Sequence, residues 1–253
     1  MKLSADAVDV LNQCRLESGR VYLPNQTLDR KLYVEVNKAL ETLGLKWDKK
    51  SKSHLSTAPL EDLEDQFFMV VQTGEITTEK DKGLDFFATP PDIAFEMVRR
   101  VAETIPQTIL EPSAGEGALA LRMRTKCPET PLTMIELDAK RAQVLRGLML
   151  GEVLEQDFMT YAPETPFDAV IMNPPFSKRR EIKHVLKALD LLKPGGFLAA
   201  VMSVALIQRT DALTSSLRAI LEAGNAEIIR NPKGAFKSSG TMVDTITVFY
   251  KKG

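Results

Sequence analysis

Four consecutive residues, Asn173-Pro174-Pro175-Phe176, carry groups that can do chemistry together. The carboxamide oxygen of Asn173 and the carbonyl oxygen of Pro174 are two neighbouring acceptors, and Phe176 adds a flat apolar face. That combination suits an exocyclic amino group on a planar base. The acceptors hold the amine and draw electron density onto its nitrogen, while the ring stacks on the heterocycle. The residues before the motif say where it must sit. Asp168 followed by Ala169-Val170-Ile171-Met172 reads as a buried parallel strand. The prolines end it, because neither has an N–H for a ladder and each presets φ. Asn173 is therefore expected at the carboxyl end of a central strand, the edge where open α/β sheets bind ligands. Taken alone, the tetrapeptide also fits a plain strand followed by a proline-rich turn.

Acids recur at other strand ends. Glu111 precedes a small-residue loop, Pro112-Ser113-Ala114-Gly115-Glu116-Gly117, whose glycines allow close approach of backbone to a ligand. Glu136, followed by Leu137, stands 19 positions beyond Gly117, near the interval of about 20 at which a carboxylate meets ribose hydroxyls. Asp157-Phe158 closes the next strand, with the acid placed to accept from an adenine amino group. The loop lacks the third glycine of the dinucleotide pattern. Glu111 would repel a pyrophosphate, whereas an ammonium and a sulfonium would be attracted. The series favours S-adenosylmethionine over NAD, although each acid singly also reads as a strand-end surface residue.

The elements that position these groups follow an alternating pattern. Strands are expected at Thr108–Leu110, Thr133–Ile135, Val153–Leu154, the stretch into Asn173, and Phe197–Met202 after a Lys193–Gly196 turn. Two more are expected at Ala226–Arg230 and Thr245–Tyr250. Helices are expected between them, the first with Ile93, Met97, Val98 and Val101 inward and the next starting at Ala118. This predicts a doubly wound, seven-stranded, mainly parallel sheet. Residues 1–80 are expected to form a separate small module and 81–253 the larger domain, with 73–84 as linker. In the module, residues 1–18 read as a helix carrying Val8, Leu11 and Leu16, followed by a short strand at Arg20–Leu23. A second helix is expected from Leu28, capped by Thr27 and closed by Gly44. A hairpin over 45–55 and a helix near Pro59–Gln72 complete a winged-helix-like α+β unit. The hairpin tip carries Lys49, Lys50 and Lys52, natural phosphate contacts; it also reads as a solvated turn with Trp47 in the core.

Bulk properties narrow the class. The 253 residues are 44% apolar and 26% charged, ordinary for a soluble globular protein. No apolar run approaches the roughly 20 residues that span a bilayer, and the N-terminus has no secretory pattern. A cytoplasmic setting is expected. Two cysteines and two histidines offer no metal-ligand spacing, so no metal is expected. Charge is unevenly spread: residues 81–176 hold nine basic and fifteen acidic residues, whereas 177–193, which include Lys178, hold six and two. A basic rim around an acidic cofactor pocket has this distribution, and so do chance solvated surfaces.

With those residues in view, the stretch 85–250 resembles class I S-adenosylmethionine-dependent methyltransferases. The likeness is to the N6-adenine DNA methyltransferases, and among them to small stand-alone enzymes of phages and plasmids. The resemblance implies that Phe87, Thr89 and Pro90 meet the methionine end of the cofactor. It gives Glu111 and the Ser113–Gly117 loop the amino acid part, Glu136 the ribose and Asp157 the adenine. It makes Asn173–Phe176 the catalytic motif and Phe236, in a late loop over 231–241, an aromatic that touches the extruded base; core packing is the competing reading for Phe236. The implied substrate is double-stranded DNA with its target adenine flipped out. Neither cysteine lies on a strand-end loop, which argues against cytosine C5 chemistry. Similar motifs serve methylation of guanine N2 or adenine N6 in RNA and of a glutamine amide in release factors. A non-catalytic methyltransferase-like binding protein is a further alternative. Many relatives carry a large target-recognition domain after the last strand, where this chain stops. Residues 1–80 read the DNA in its place, or sequence preference is slight, or the substrate is not DNA.

Overall fold

The computed structural model describes every residue except 1, 18, 57–66, 68, 69, 72, 73, 75, 77–86 and 238–240. The chain forms two compact units, Met1–Gly83 and Leu84–Gly253. Among the described residues no helix is long and apolar enough to cross a membrane.

The first unit runs α1 (Ala5–Asn12), β1 (Arg15–Glu17), β2 (Arg20–Tyr22), α2 (Arg30–Thr42), β3 (Leu45–Asp48) and β4 (Ser53–Ser56). Its antiparallel sheet has the order β1-β2-β4-β3. Residues 1–18 are not one helix. Arg15-Leu16-Glu17 alternates with period two, and Leu16 pairs with Val21 across a turn that uses Gly19 at φ +75°. Asp29, not Thr27, caps α2, accepting from the amides of Lys31 and Leu32 at 2.8 and 3.0 Å. Gly44, just past its end, has φ +83°. Most of the helix expected at 59–72 and of the linker at 73–84 lies outside the described residues. Ile76, within that linker, is buried in the core of the unit beside Val36, Leu40 and Phe67. Trp47 is 47% exposed rather than in the core.

The second unit holds a seven-stranded sheet in the order β10-β11-β9-β8-β5-β6-β7. Its strands are β5 (Ile109–Glu111), β6 (Leu132–Glu136), β7 (Glu152–Glu155), β8 (Phe167–Met172), β9 (Leu192–Ser203), β10 (Glu227–Arg230) and β11 (Thr245–Lys251). Strands β9, β8, β5, β6 and β7 are parallel, and β11 runs antiparallel to both its neighbours. In β8 every residue but Asp168 is buried, as both-face cover by helices requires. The helices are α3 (Pro91–Glu103), α4 (Ala118–Lys126), α5 (Ala139–Leu148), α6 (Arg180–Asp190), the short α7 (Ala205–Gln208) and α8 (Ala212–Ala223). Helix α3 buries Ile93, Met97, Val98 and Val101, as its spacing predicts. The turn expected at Lys193–Gly196 is instead an irregular stretch inside one long β9, where the register with β8 shifts. Gly195 there donates to the Lys252 carbonyl and Lys252 donates back to Gly196, so β11 keeps the turn in the sheet.

One close approach fixes the β6–β7 edge. A Cβ on Gly151 would lie 2.2 Å from the Leu132 carbonyl oxygen, whereas one on Gly147, inside α5, would meet nothing within 4 Å. Gly151→Ala is expected to cost about 1–3 kcal/mol through overpacking, while Gly147→Ala gains up to about 1 kcal/mol of helix propensity. Thermal unfolding of the two variants should therefore move in opposite directions.

Candidate active site

The site forms where the winding of the sheet reverses. Strand β5 lies between β6 and β8, so the loops leaving β5 and β8 part and open a cleft at their carboxyl ends. The cleft has an empty volume of about 960 Å³ including its open mouth. Its lining brings together Phe87, Thr89, Glu111, Pro112, Ser113, Ala114, Glu136, Leu137, Asp157, Phe158, Asn173, Pro174 and Pro175. Gly115 and Gly117 shape the loop above it at φ +57° and +86°, and Gly117 lets α4 start against Leu145 and Leu148. Pro90 and Pro91 start α3 next to Thr89, which is buried.

Glu111 is 1% exposed and its Oε2 has no hydrogen-bond partner among the described residues. Burial pushes its carboxyl well above the ordinary range; the Ala120 backbone offsets this in part and the Glu136 charge adds to it. A buried acceptor with no donor, facing an open cleft, calls for a cationic donor from a ligand. Glu136 is engaged differently. Its Oε2 accepts from Gly115 N at 2.8 Å, and its Oε1 accepts from Asp138 N at 2.8 Å and from Arg141 at 3.0 and 3.2 Å. It ties the β5 loop to the end of β6. Asp157 caps the short 3-10 turn Phe158–Thr160 through Met159 N at 2.8 Å and stays exposed at the rim.

Asn173 donates its amide Nδ2 to the Phe87 carbonyl at 2.7 Å. Only the NH2 end can donate to a carbonyl, so this bond sets which way the amide is turned and leaves Oδ1 without that tether. Phe176 and Phe236 are both buried, Phe236 in the core packing that was its competing reading. They are 5% and 0% exposed, and Phe176 stacks on Phe87 with centroids 6.4 Å apart while meeting the edge of Phe236 at 6.4 Å. Three rings that shield one another from water leave no open face on either, and Phe176 does not line the cleft.

The basic stretch after the motif is also less of a rim than its composition suggested. Arg179 is buried and pairs with Asp211 at 2.9 Å. Arg180 turns back onto Ser177, Lys187 reaches the Met159 carbonyl, and Lys193 binds Asp168. Lys178 is exposed, and it and Arg179 both take left-handed backbone, at φ 54° and 53°. Non-glycine residues hold that conformation only where the surroundings over-determine it. Lys49, Lys50 and Lys52 belong to the first unit and are exposed.

Sequence reasoning missed His184, Arg141 and Arg180, which also line the cleft. Desolvation lowers the His184 pKa to about 4, so the ring is neutral near pH 7 and adds no charge beside a cation. It meets Phe158 edge-on at 5.3 Å and lies 3.4 Å from Ser113 Oγ. Its place among Ile182, Val185, Ala188 and Leu189 on the buried face of α6 was the available signal.

Comparison with known proteins bears on this cleft. Residues 86–229 match the family model described as Methyltransferase small domain. The type II methyltransferase M.CvrRI of Paramecium bursaria Chlorella virus XZ-6E is 32% identical over 101 residues, 40% of this chain and 26% of that protein. The tRNA1(Val) (adenine(37)-N6)-methyltransferase of Pseudoalteromonas translucida (strain TAC 125) is 32% identical over 75 residues, 27% of this chain and 32% of that enzyme. The chain thus matches about a third or less of the length of these relatives. In fold it is similar to a proposed class I S-adenosylmethionine-dependent methyltransferase from Listeria monocytogenes, with 14% identity, 98% of this chain and 79% of that chain covered, and a TM-score of 0.54.

The raised pKa of Glu111 has a definite sign. The folded protein holds a proton at Glu111 that the unfolded chain releases, so this group's contribution to ligand-free stability is greatest at low pH. It declines as pH rises from the ordinary carboxylate range toward the folded-state value. Glu111→Gln should remove that slope in pH-dependent denaturation. The same variant should bind S-adenosylmethionine about 10- to 100-fold more weakly, by loss of a charge-assisted bond, and calorimetry should find no proton release on binding.

Proposed function

The chain belongs to the methyltransferase small-domain family, and on that footing we propose that it methylates the exocyclic N6 amine of adenine in DNA, using S-adenosylmethionine. The residues present fit that cofactor: the orphan Glu111 carboxylate suits its ammonium, and Leu137 and Phe158 give apolar walls for a flat ring. When bound, the cofactor supplies an electrophilic methyl on a sulfonium. The chain's own contribution is positioning. Asn173 Oδ1 and the Pro174 carbonyl accept from the two N6–H groups, which holds the nitrogen lone pair toward the methyl carbon. With the cofactor in place, its methyl group would pass to N6 as the S–C bond breaks, and the surplus proton on N6 would pass to solvent. No covalent enzyme intermediate is required. Phe176 and Phe236 stack on the extruded base in this reading, which requires the Phe87–Phe176–Phe236 cluster to open when the base enters.

The observation that carries the proposal is the Asn173–Phe87 bond. Without it the amide is free to present its NH2 group, a donor that would repel an amine rather than accept from it. A second reading, adenine N6 in RNA, is favoured by the tRNA enzyme among the relatives.

The test is incubation with labelled cofactor and separate DNA, RNA and release-factor substrates, followed by digestion. Label recovered as N6-methyldeoxyadenosine supports the proposal; label confined to a ribonucleoside, to guanine or to protein overturns it. Asn173→Ala should bind cofactor as the parent does and lose about 10²-fold or more in turnover, the scale seen when one oriented polar group is removed from a transition state. Near-parental turnover in that variant would refute the role given to residue 173.

A further inference from the structure

The hairpin of β3 and β4 has features that neither the fold of the first unit nor the cleft explains. Lys46, Lys49, Lys50 and Lys52 are all exposed, and none makes an ion pair among the described residues. The one acid on the hairpin, Asp48, is already neutralised. It accepts from Ser51 Oγ at 2.7 Å, from Lys50 N at 3.1 Å and from Arg20 at 3.1 Å. Those bonds, Ser51 first, hold its carboxyl down to about 2, so it stays ionised and occupied across the physiological range.

The tip is also fixed in shape. Arg20 donates to Ser51 Oγ at 2.6 Å, Ser51 and Ser53 share a bond of 2.7 Å, and Lys52 sits in left-handed backbone at φ 49°. Four cations are thus displayed on a braced turn rather than on a floppy one. Beside them is Trp47, the chain's single tryptophan, nearly half exposed. It is propped rather than loose. Its ring meets His54 edge-on at 5.0 Å, and His54 is fully buried and held by Asn37 at 2.8 Å.

We propose that this hairpin is a docking surface for the backbone of duplex DNA, with the lysines on phosphates and the Trp47 indole packed on the sugars between them. Unpaired cations match a polyphosphate, and an amphipathic aromatic plate beside them matches the sugar and base surface of nucleic acid better than it matches an acidic protein. The choice of DNA among polyanions rests on the function proposed above. The rigid tip makes the site one of backbone positioning, which holds register on the duplex without reading its sequence.

The full chain carries its own reporter, since all tryptophan fluorescence comes from residue 47. A 20-base-pair DNA duplex should change that fluorescence, with an affinity that falls steeply with salt. In a triple variant, Lys49→Gln, Lys50→Gln and Lys52→Gln, anisotropy of a labelled duplex should show the slope of log affinity against log salt reduced by about 2 to 3, at roughly 0.9 per lost phosphate contact. Thermal unfolding checks that these surface changes leave the fold intact. No fluorescence change with DNA, an unaltered salt slope in the triple variant, or tighter binding of duplex RNA than of DNA would overturn the proposal. Its fate separates from that of the function. Methylation of DNA with an unaltered slope sinks the hairpin alone, and a reduced slope without methylation sinks the catalytic reading alone.

Discussion

Parallel strands end together, and a sheet wound outward in two directions must leave a gap where the direction changes. In the second unit that constraint falls between β5 and β8. It places Glu111 at the end of one strand and Asn173 just past the end of the next, with a loop departing from each. Every polar group that matters to the cleft is held by its relation to that gap. Glu136 ties the loop on one side through Gly115, and Phe87 holds the amide on the other. The cleft therefore follows from topology, and its chemistry from which side chains stand at the two strand ends.

Much of this was legible because it is local. Runs of apolar residues ended by acids, glycines or prolines gave the order of the strands, and the acids fell at their carboxyl ends. What escaped is non-local. Arg15–Glu17 joins a sheet through pairing with β2, although the residues before it continue a helical pattern. Residues 193–196 have turn composition, yet β11 holds them in β9. Phe176 and Phe236 are 60 positions apart in sequence, and nothing in either segment announces that they pack on one another. Trp47 shows the converse: a residue whose type argues for the core is left outside, because His54 takes the buried place opposite it.

Charge gives the same lesson about composition and geometry. The stretch 177–193 has a basic excess, and most of it is used inside the protein. Asp211 holds Arg179 while capping α8, and Asp168 holds Lys193 at the opposite edge of the sheet. The acidic excess before the motif is partly balanced by Arg141 on Glu136. Among the described residues, what the cleft retains is one buried carboxyl whose Oε2 has no partner, able to give up its proton as a cationic ligand binds, and one acid at the rim, an arrangement suited to a single small cation rather than to a polyanion.

The strand order also bears on how the chain reaches this state. Strand β10 touches no sheet neighbour except β11, and β11 lies between it and β9 although it follows both in sequence. During synthesis β10 emerges with no edge to join, and β9 waits with one side bare until residues 245–251 arrive to bridge them. Assembly of that flank is a late event of high sequence separation, slow by the measure of contact order and exposed meanwhile to mispairing. The half of the sheet from β5 to β7 carries no such dependence and is free to form while the rest is still being made.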